Sequence, residues 1–343
     1  MWITNLGLRS QCILRMPEGQ PKKRLRRYRH LGGHGGRTCL EGNSGKRLPK
    51  TRRAPEAFLG RALTGRGLRL IEIIGQYRFV GTSAIVRLAG GNEDVTHRHL
   101  QMLYHRSFVG RFSRPGASRN TEFAYFLENS PQLRQVLKDH GLKPVLDFDI
   151  GGRQNGNRPG RLLFLEHELM ISDFHAGVDL AARATSGRVE LAEWKQGPST
   201  WDRVPVDGGG VTTVLPHRPD AYFVLRFPTA ALGQQHGRFF YEADRDTTNT
   251  TRFRLKLQGY LAFFLSGQYQ EKYGARRVRA VLVETTSDKR MQQLKSVAAD
   301  LSEREPFAGA LFWFATSGLV RADGGFAAVW ATAADERLRS LTD

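Results

Sequence analysis

Cysteine is nearly absent from this sequence of 343 residues, with only Cys12 and Cys39 present. Beyond Cys39 neither a disulfide framework nor a thiolate zinc site can form. Long hydrophobic runs are also missing, and the longest apolar stretch, near 307–320, predicts a buried strand because it is too short to cross a bilayer. Arg9 and Arg15 interrupt any signal-peptide core. We therefore predict a cytoplasmic protein without a membrane partner.

Acidic residues are scarce relative to basic ones. The chain has 33 Asp and Glu against 52 Lys and Arg, a formal net charge of +19. Residues 1–53 hold 14 basic and 2 acidic residues without an apolar period, which predicts a disordered basic tail. This segment either binds DNA phosphates or is a start-site artefact, with Met16 as the first residue of the chain. The rest of the chain remains basic, and such an excess favours nucleic acid as the partner.

Residues 64–150 show the order of elements typical of a winged helix-turn-helix. Apolar residues at helical spacing begin at Gly67, and Thr82 opens a second, shorter helix. A third helix is predicted over 93–107, followed by strands over 108–112 and 122–127. Helix, helix, turn, helix and a two-stranded wing are the parts of this DNA-binding domain.

The third of these helices is the predicted recognition helix. We expect it to present polar side chains to DNA: Thr96, Arg98, His99, Gln101, His105 and Arg106. The wing adds Arg111, Arg114 and Arg119. Side chains of these types bind phosphates and base edges. The alternative is that the helix is an ordinary solvated face of a small three-helix domain.

The second half of the chain alternates between helical and strand patterns. A Gly, Asn and Arg-rich linker at 151–160 marks a domain boundary. A helix over 161–182 follows, and strands then alternate with helices to about residue 316. This order predicts an α/β domain over 160–335, with helices covering both faces of a sheet.

Two predicted strands carry acidic residues at their ends. Asp220 precedes the strand 221–227, and Glu242 closes the strand that begins at Arg238. An antiparallel pairing of these strands would bring the two carboxylates to the same end of a hairpin. Two carboxylates and a backbone carbonyl suit Mg²⁺ or Mn²⁺. The alternative is a pair of strand-end acids without a metal.

In this sequence Pro219-Asp220 is followed by Glu242-Ala243-Asp244. This pattern resembles the core motif of PD-(D/E)XK nucleases. The arrangement over 64–335 is similar to the replication-relaxation proteins of plasmids and integrative elements, which include MOB-C-type conjugative relaxases. The resemblance extends to His167-Glu168 on the predicted helix over 161–182 and to the helix segment 256–260. It implies an α/β fold in which a winged helix-turn-helix precedes a nuclease-like domain.

One position departs from the family pattern, because Asp244 stands where a lysine is usual. Such a lysine orients the nucleophile or stabilises developing charge. Lys256 can replace it, since Arg252, Lys256 and Tyr260 share one helix face. The alternative is that this face is simply basic and solvated.

We therefore predict a metal-dependent DNA endonuclease or nickase that serves plasmid or mobile-element replication or mobilisation. Its catalytic residues would be Asp220, Glu242, Asp244, Lys256, Glu168 and His167, with Asp220 and Glu242 as metal ligands. Partners would be DNA and other replication or conjugation proteins. Two alternatives remain, an inactive DNA-binding accessory factor and a transcriptional regulator. Relaxases often form a tyrosine-linked intermediate, but this sequence offers no clear nucleophile, and Tyr241 and Tyr260 are only nearby candidates.

Overall fold

The computed structural model describes residues 53–54, 63–113, 122–142, 159–208 and 210–343. Its first group of elements consists of α1 (Gly65–Tyr77), β1 (Val80–Gly81), α2 (Thr82–Ala89), α3 (Glu93–His105), β2 (Val109–Ser113), β3 (Phe123–Leu127) and α4 (Pro131–Asp139). Side chains cap three of the helices at the N-terminus: Thr64 for α1, Asn92 for α3 and Ser130 for α4. Each cap satisfies a backbone N–H that has no partner within its helix.

Strands β1, β3 and β2 form an antiparallel sheet in that order, against which the helices pack. Leu70, Ile74 and Leu103 are fully buried in the shared core. The prediction that Thr96 and His105 are exposed is wrong, because both are 0% exposed. Thr96 accepts a hydrogen bond of 2.6 Å from the Arg66 guanidinium. The Nδ1 of His105 accepts one of 3.0 Å from the Ala54 backbone.

Helix α5 (Pro159–Ala184) contacts both this group and the elements that follow. The hydroxyl of Tyr77 donates to Asp179, and the hydroxyl of Ser172 donates to the Tyr77 carbonyl at 2.7 Å. Neither α5 nor any other helix among the described residues is long and apolar enough to cross a membrane. Residues 1–52 of the predicted tail and most of the linker at 151–160 lie outside the described residues.

The second group is built on a six-stranded sheet. Its elements are β4 (Glu190–Gln196), β5 (Asp202–Gly208), β6 (Val211–His217), β7 (Ala221–Arg226), β8 (His236–Asp244), α6 (Thr250–Leu265), α7 (Gln268–Tyr273), β9 (Ala280–Thr285), α8 (Asp288–Ser302), α9 (Ala308–Leu311), β10 (Phe312–Thr316), α10 (Ser317–Asp323) and β11 (Ala331–Thr332). The strand order is β11-β10-β9-β8-β7-β4, and β9 is parallel to both β8 and β10. The prediction of a mixed α/β fold is confirmed.

Alternating side chains of the sheet enter two separate cores. Tyr222 and Phe240 face α6 and α8, whereas Phe223, Phe239 and Tyr241 face α5. Strands with both faces buried have nearly continuous apolar sequences. The run 221–225 is buried at every position, as this arrangement requires.

The hairpin formed by β5 and β6 was not predicted from the sequence, which shows only weak apolar alternation there. The hairpin packs on α6, where a Cβ added to Gly259 would lie 2.6 Å from the Pro216 carbonyl oxygen. Glycine at this position therefore allows the strand to approach the helix. A second difference is α9, which occupies 308–311 where the sequence predicted the beginning of a strand.

Candidate active site

The two acidic strand ends predicted from the sequence meet at one end of the central sheet. Strands β7 and β8 pair antiparallel, and Ala221 is opposite Tyr241. Asp220 and Glu242 lie one residue further along this ladder, so they occupy facing positions. This confirms the predicted antiparallel pairing of the two strands. The alternation of side chains along β8 turns Glu242 toward α6, on the face that also carries Phe240.

Glu242 is buried and held by two side chains from α6. Lys256 Nζ forms an ion pair with Oε2, and the hydroxyl of Tyr260 donates to Oε1 at 2.6 Å. Burial raises the pKa of Glu242 to about 8, and the nearby Asp220 carboxylate adds to this effect. Lys256 and Tyr260 only partly offset the increase. The carboxyl group therefore lies in an environment that favours an additional positive charge.

Asp220 remains ionised in the same place. Burial alone would raise its pKa, but the charges of Lys256 and His167 outweigh burial and hold the pKa well below its usual range. Its Oδ2 accepts a hydrogen bond of 2.8 Å from the Ala243 backbone N–H and lies 3.2 Å from His167 Nε2. Burial opposes the protonation of His167, but Asp220 and Glu168 raise its pKa overall. Asp220 and His167 therefore form a coupled pair that can hold a proton.

Glu168 and Arg78 extend this cluster toward α1. The Arg78 guanidinium lies 3.4 Å from Glu168 Oε2, and both side chains are nearly buried. Burial raises the pKa of Glu168, although Arg78 and His167 oppose the increase. Arg78 follows α1 with a φ of 66°, which is uncommon for a residue with a side chain. Sequence reasoning missed Arg78, because nothing in its local pattern indicates a contact 90 positions away.

Asp244, predicted as a catalytic residue, is held by α8. The Arg290 guanidinium donates to its two oxygens at 2.8 and 3.0 Å, and the Thr285 hydroxyl donates at 3.2 Å. Asp244 and Arg290 are both buried. This bidentate pair ties the end of β8 to the first turn of α8. Arg290 was not predicted, since the sequence places it on an ordinary amphipathic helix.

Neither candidate tyrosine nucleophile is accessible. Tyr241 is 0% exposed and Tyr260 is 1% exposed. Each phenol donates to a buried carboxyl group, Tyr241 to Glu284 at 2.9 Å and Tyr260 to Glu242. Burial raises the pKa of both phenols well above the usual value, and the neighbouring carboxylates raise it further. Both tyrosines therefore act here as hydrogen-bond donors that position carboxyl groups.

The donors at this end of the sheet fit Mg²⁺ or Mn²⁺ in their chemistry. Asp220 and Glu242 supply carboxylate oxygens, and Mg²⁺ is commonly held by one or two carboxylates together with water molecules. Burial raises the pKa of Glu242, and a bound cation would favour its ionised form. No group of three or more His, Cys, Asp or Glu residues is placed to hold a metal ion within the described part of the chain.

The residues predicted to contact DNA differ in their environments. Arg98 is exposed on α3, whereas the ring of His99 lies 2.8 Å from the Val95 carbonyl and 3.1 Å from the Thr64 hydroxyl. Three others are less exposed: Gln101 and Arg106 are half-buried, and Arg111 packs on the rings of Tyr104 and Phe123. Arg114 lies outside the described residues. Among those that the structure describes, Arg98 is therefore the best placed to contact a ligand.

The fold and the site define a mixed α/β protein in which the buried Glu242 and the half-buried Asp220 and Lys256 form a cluster at one end of the central sheet. Residues 71–278 match the family model described as replication-relaxation. The chain belongs to this family, as its motifs predict. The matched segment contains Arg78, Asp220, Glu242 and Lys256. No curated protein and no solved structure matched the chain.

Glu284 is a further buried acid that sequence reasoning missed, and it lies on β9 beside Ala243. Burial raises its pKa to about 7, although the Tyr241 hydroxyl and Arg321 partly offset this. A carboxyl group whose pKa is raised in the folded protein stabilises the fold below its unfolded pKa, and this contribution is lost as pH rises through 7.

We expect the free energy of unfolding to fall by up to about 3 kcal/mol between pH 5 and pH 8 because of this group. Glu284→Gln should remove most of that decrease, since the amide does not titrate. Urea denaturation at both pH values measures the difference. An equal pH dependence in wild type and variant would contradict the assignment.

Proposed function

We propose that the protein binds the DNA of a plasmid or other mobile element and cuts one strand with Mg²⁺ or Mn²⁺ during replication or mobilisation. Membership of the replication-relaxation family supports a role in these processes. The observation that carries the cutting activity is the contact of Lys256 with Glu242, beside Asp220. In this cluster Asp220 and Glu242 are the two carboxylates of the proposed metal site. Lys256 supplies the ammonium group that a lysine at position 244 supplies in the usual motif.

The order of elements supports two domains with different functions, one for recognising the DNA site and one for cutting it. In this proposal helices α1 to α3 with the small sheet would form a winged helix-turn-helix, which chooses the DNA site. The succession α5, β4, β7, β8, α6 and β9 would form a PD-(D/E)XK nuclease core, which cuts. Metal-ligating carboxylates at one end of a hairpin and a lysine beside them suit the hydrolysis of a phosphodiester.

Each residue of the cluster has a definite task in this proposal. Asp220 and Glu242 would hold the cation, which when bound supplies Lewis-acid stabilisation of the phosphodiester and activates water. Lys256 stabilises the negative charge that develops on the phosphate oxygens. His167 would take up the proton that the attacking water loses, and its contacts with Asp220 and Glu168 raise its pKa and so favour the protonated form. Tyr260 positions Glu242.

The test is a nicking assay on supercoiled plasmid DNA that carries the cognate element. We expect open-circular product with Mg²⁺ or Mn²⁺ and none with EDTA. Glu242→Gln should remove the activity, because the amide cannot replace a carboxylate ligand. Absence of nicking by pure wild-type protein with either metal would contradict the proposal.

A second candidate function is that of a DNA-binding accessory factor without nuclease activity. The observation that favours it is that Lys256 and Tyr260 engage both oxygens of Glu242. A carboxyl group held in this way serves as a structural element of the sheet end. A transcriptional regulator is a third and weaker candidate, because the acidic cluster would have no task in it.

DNA binding itself is tested on α3. We expect the double variant Arg98→Ala/Arg106→Ala to weaken DNA affinity roughly tenfold at low salt, with a smaller loss at high salt, because phosphate contacts release counterions. Fluorescence anisotropy with labelled duplex DNA measures both effects. The control is Arg134→Ala/Lys138→Ala, which removes equal charge from exposed positions of α4. Equal affinities of the two double variants would show that α3 is not the contact face.

A further inference from the structure

A basic cavity of about 930 Å³ lies at one end of the central sheet. The opposite end holds Asp220, Glu242 and Lys256, which we call the acidic cluster. It is formed where β7 ends and where β8 and β9 begin. Five arginines line it: Arg188, Arg238, Arg276, Arg277 and Arg279. They come from three segments that are distant in sequence, so the fold itself brings them together.

These arginines lack the partners that usually compensate such charge. None of the five forms an ion pair with another residue in the part of the chain that the structure describes. One acidic side chain, Asp343, lines the cavity among them. Its carboxylate accepts a hydrogen bond of 3.0 Å from the Ser340 backbone and lies 3.7 Å from Arg337, which does not line the cavity. The cavity therefore carries a large uncompensated positive charge.

The charge is also partly removed from solvent. Arg279 and Arg238 are half-buried, and a backbone hydrogen bond of 2.7 Å from Arg279 to Arg238 fixes their spacing. Burial lowers the pKa of Arg279, although Asp343 partly opposes this. The Arg279 guanidinium lies 5.8 Å from the centre of the Phe227 ring. An anion at this position would restore the stability that burial removes from the charged guanidinium.

We propose that this cavity binds backbone phosphates of the DNA on which the acidic cluster acts. Guanidinium groups match phosphate oxygens in geometry and bind them in pairs of hydrogen bonds. Along strand β8, six residue steps separate His236 at the cavity from Glu242 in the cluster. The separation is roughly 20 Å, which corresponds to about six nucleotides of a DNA strand. The choice of DNA rests on the proposed function.

The test compares two double variants that remove equal charge. Arg276→Ala/Arg277→Ala empties the exposed rim of the cavity, and Arg203→Ala/Arg304→Ala removes two exposed arginines elsewhere. We expect the first to weaken binding of duplex DNA roughly tenfold at low salt and to reduce the slope of log affinity against log salt by about 2. The second should change the slope by much less. Circular dichroism checks that both variants fold.

Hydroxyl-radical footprinting provides an independent measurement. The cavity variant should lose protection over one flank, roughly six nucleotides from the nicked position or the centre of the footprint. An unchanged footprint and salt slope would overturn the proposal. These measurements need no cleavage, so a failure of nicking and a failure of this inference are distinguishable.

A small phosphate compound, free in solution, is the alternative ligand that the arginines of this cavity could bind. Calorimetry with inorganic pyrophosphate measures its binding to wild type and to the cavity variant. Tight pyrophosphate binding that Arg276→Ala/Arg277→Ala abolishes, with DNA affinity unchanged, would overturn the DNA assignment. Weak pyrophosphate binding together with the reduced salt slope supports it.

Discussion

Lys256→Ala is expected to slow DNA nicking about a hundredfold while leaving DNA affinity nearly unchanged. The Lys256 ammonium contacts Glu242 and is one-third exposed, so it can also reach a phosphate bound at the carboxylates. Loss of a positive group that stabilises transition-state charge typically costs about 3 kcal/mol. Single-turnover nicking and fluorescence anisotropy measure the two quantities separately.

The matched control is Arg252→Ala. Arg252 lies one helical turn before Lys256 and is exposed. Its loss removes the same charge from the same helix without changing the cluster. Three outcomes are informative. Inactive Lys256→Ala with active wild type and active Arg252→Ala supports the assignment. Normal nicking by Lys256→Ala would support the nuclease activity but contradict a catalytic role for Lys256. Inactive wild type would favour the accessory factor.

A structural role for Lys256 would have a different signature. Its removal leaves Glu242 buried with Tyr260 as the remaining partner, which should raise the pKa of Glu242 further. If nicking were lost only because of this change, Lys256→Arg would restore it, since any cation would serve. A lysine that contacts the phosphate directly is more specific, because the guanidinium differs from the ammonium in shape and reach.

Local patterns were sufficient to predict the main elements of the site. The hairpin between Asp220 and Glu242 follows from two apolar runs joined by a short loop, and register then places the acids together. The position of Lys256 follows from helical periodicity, because a residue two turns into α6 lies above the strand that precedes the helix. These predictions depend on contacts that are close in sequence.

Long-range electrostatic contacts could not be predicted in the same way. Arg290 reaches Asp244 across 46 positions, and Arg78 reaches Glu168 across 90, so the fold decides which acid each arginine meets. The burial of His105 depends likewise on a backbone N–H that precedes α1. Amphipathic spacing indicates which face of a helix is buried, but it does not identify the polar partner.

The motif position at Asp244 illustrates the difference between a pattern and its environment. From the sequence, Asp244 is an acid in the place of a catalytic lysine, and it was predicted to take part in catalysis. The structure places it in a bidentate contact with Arg290 at the beginning of α8. A carboxylate whose two oxygens are held in this way is well suited to fix the end of β8, and with it the position of Glu242.

Arg290→Ala is therefore expected to lower the free energy of unfolding by about 3–5 kcal/mol. Arg290 is 3% exposed and Asp244 is 7% exposed, so removal of the guanidinium leaves a buried carboxylate without its counter-charge. Urea denaturation measures the loss. The matched control is Arg254→Ala, which breaks an exposed pair with Asp300 and should cost less than about 1 kcal/mol. Similar losses in the two variants would contradict a buried structural pair.

Asp244→Asn then separates structure from catalysis. If Asp244 acts through Arg290, the variant should lose several kcal/mol of stability, since it breaks the same buried pair. Molecules that remain folded at low temperature should nick DNA at close to the wild-type rate. The double variant Asp244→Leu/Arg290→Met should recover part of the stability, because apolar replacement of both partners leaves no buried charge. Loss of nicking with wild-type stability would instead make Asp244 a catalytic group, as the sequence motif predicts.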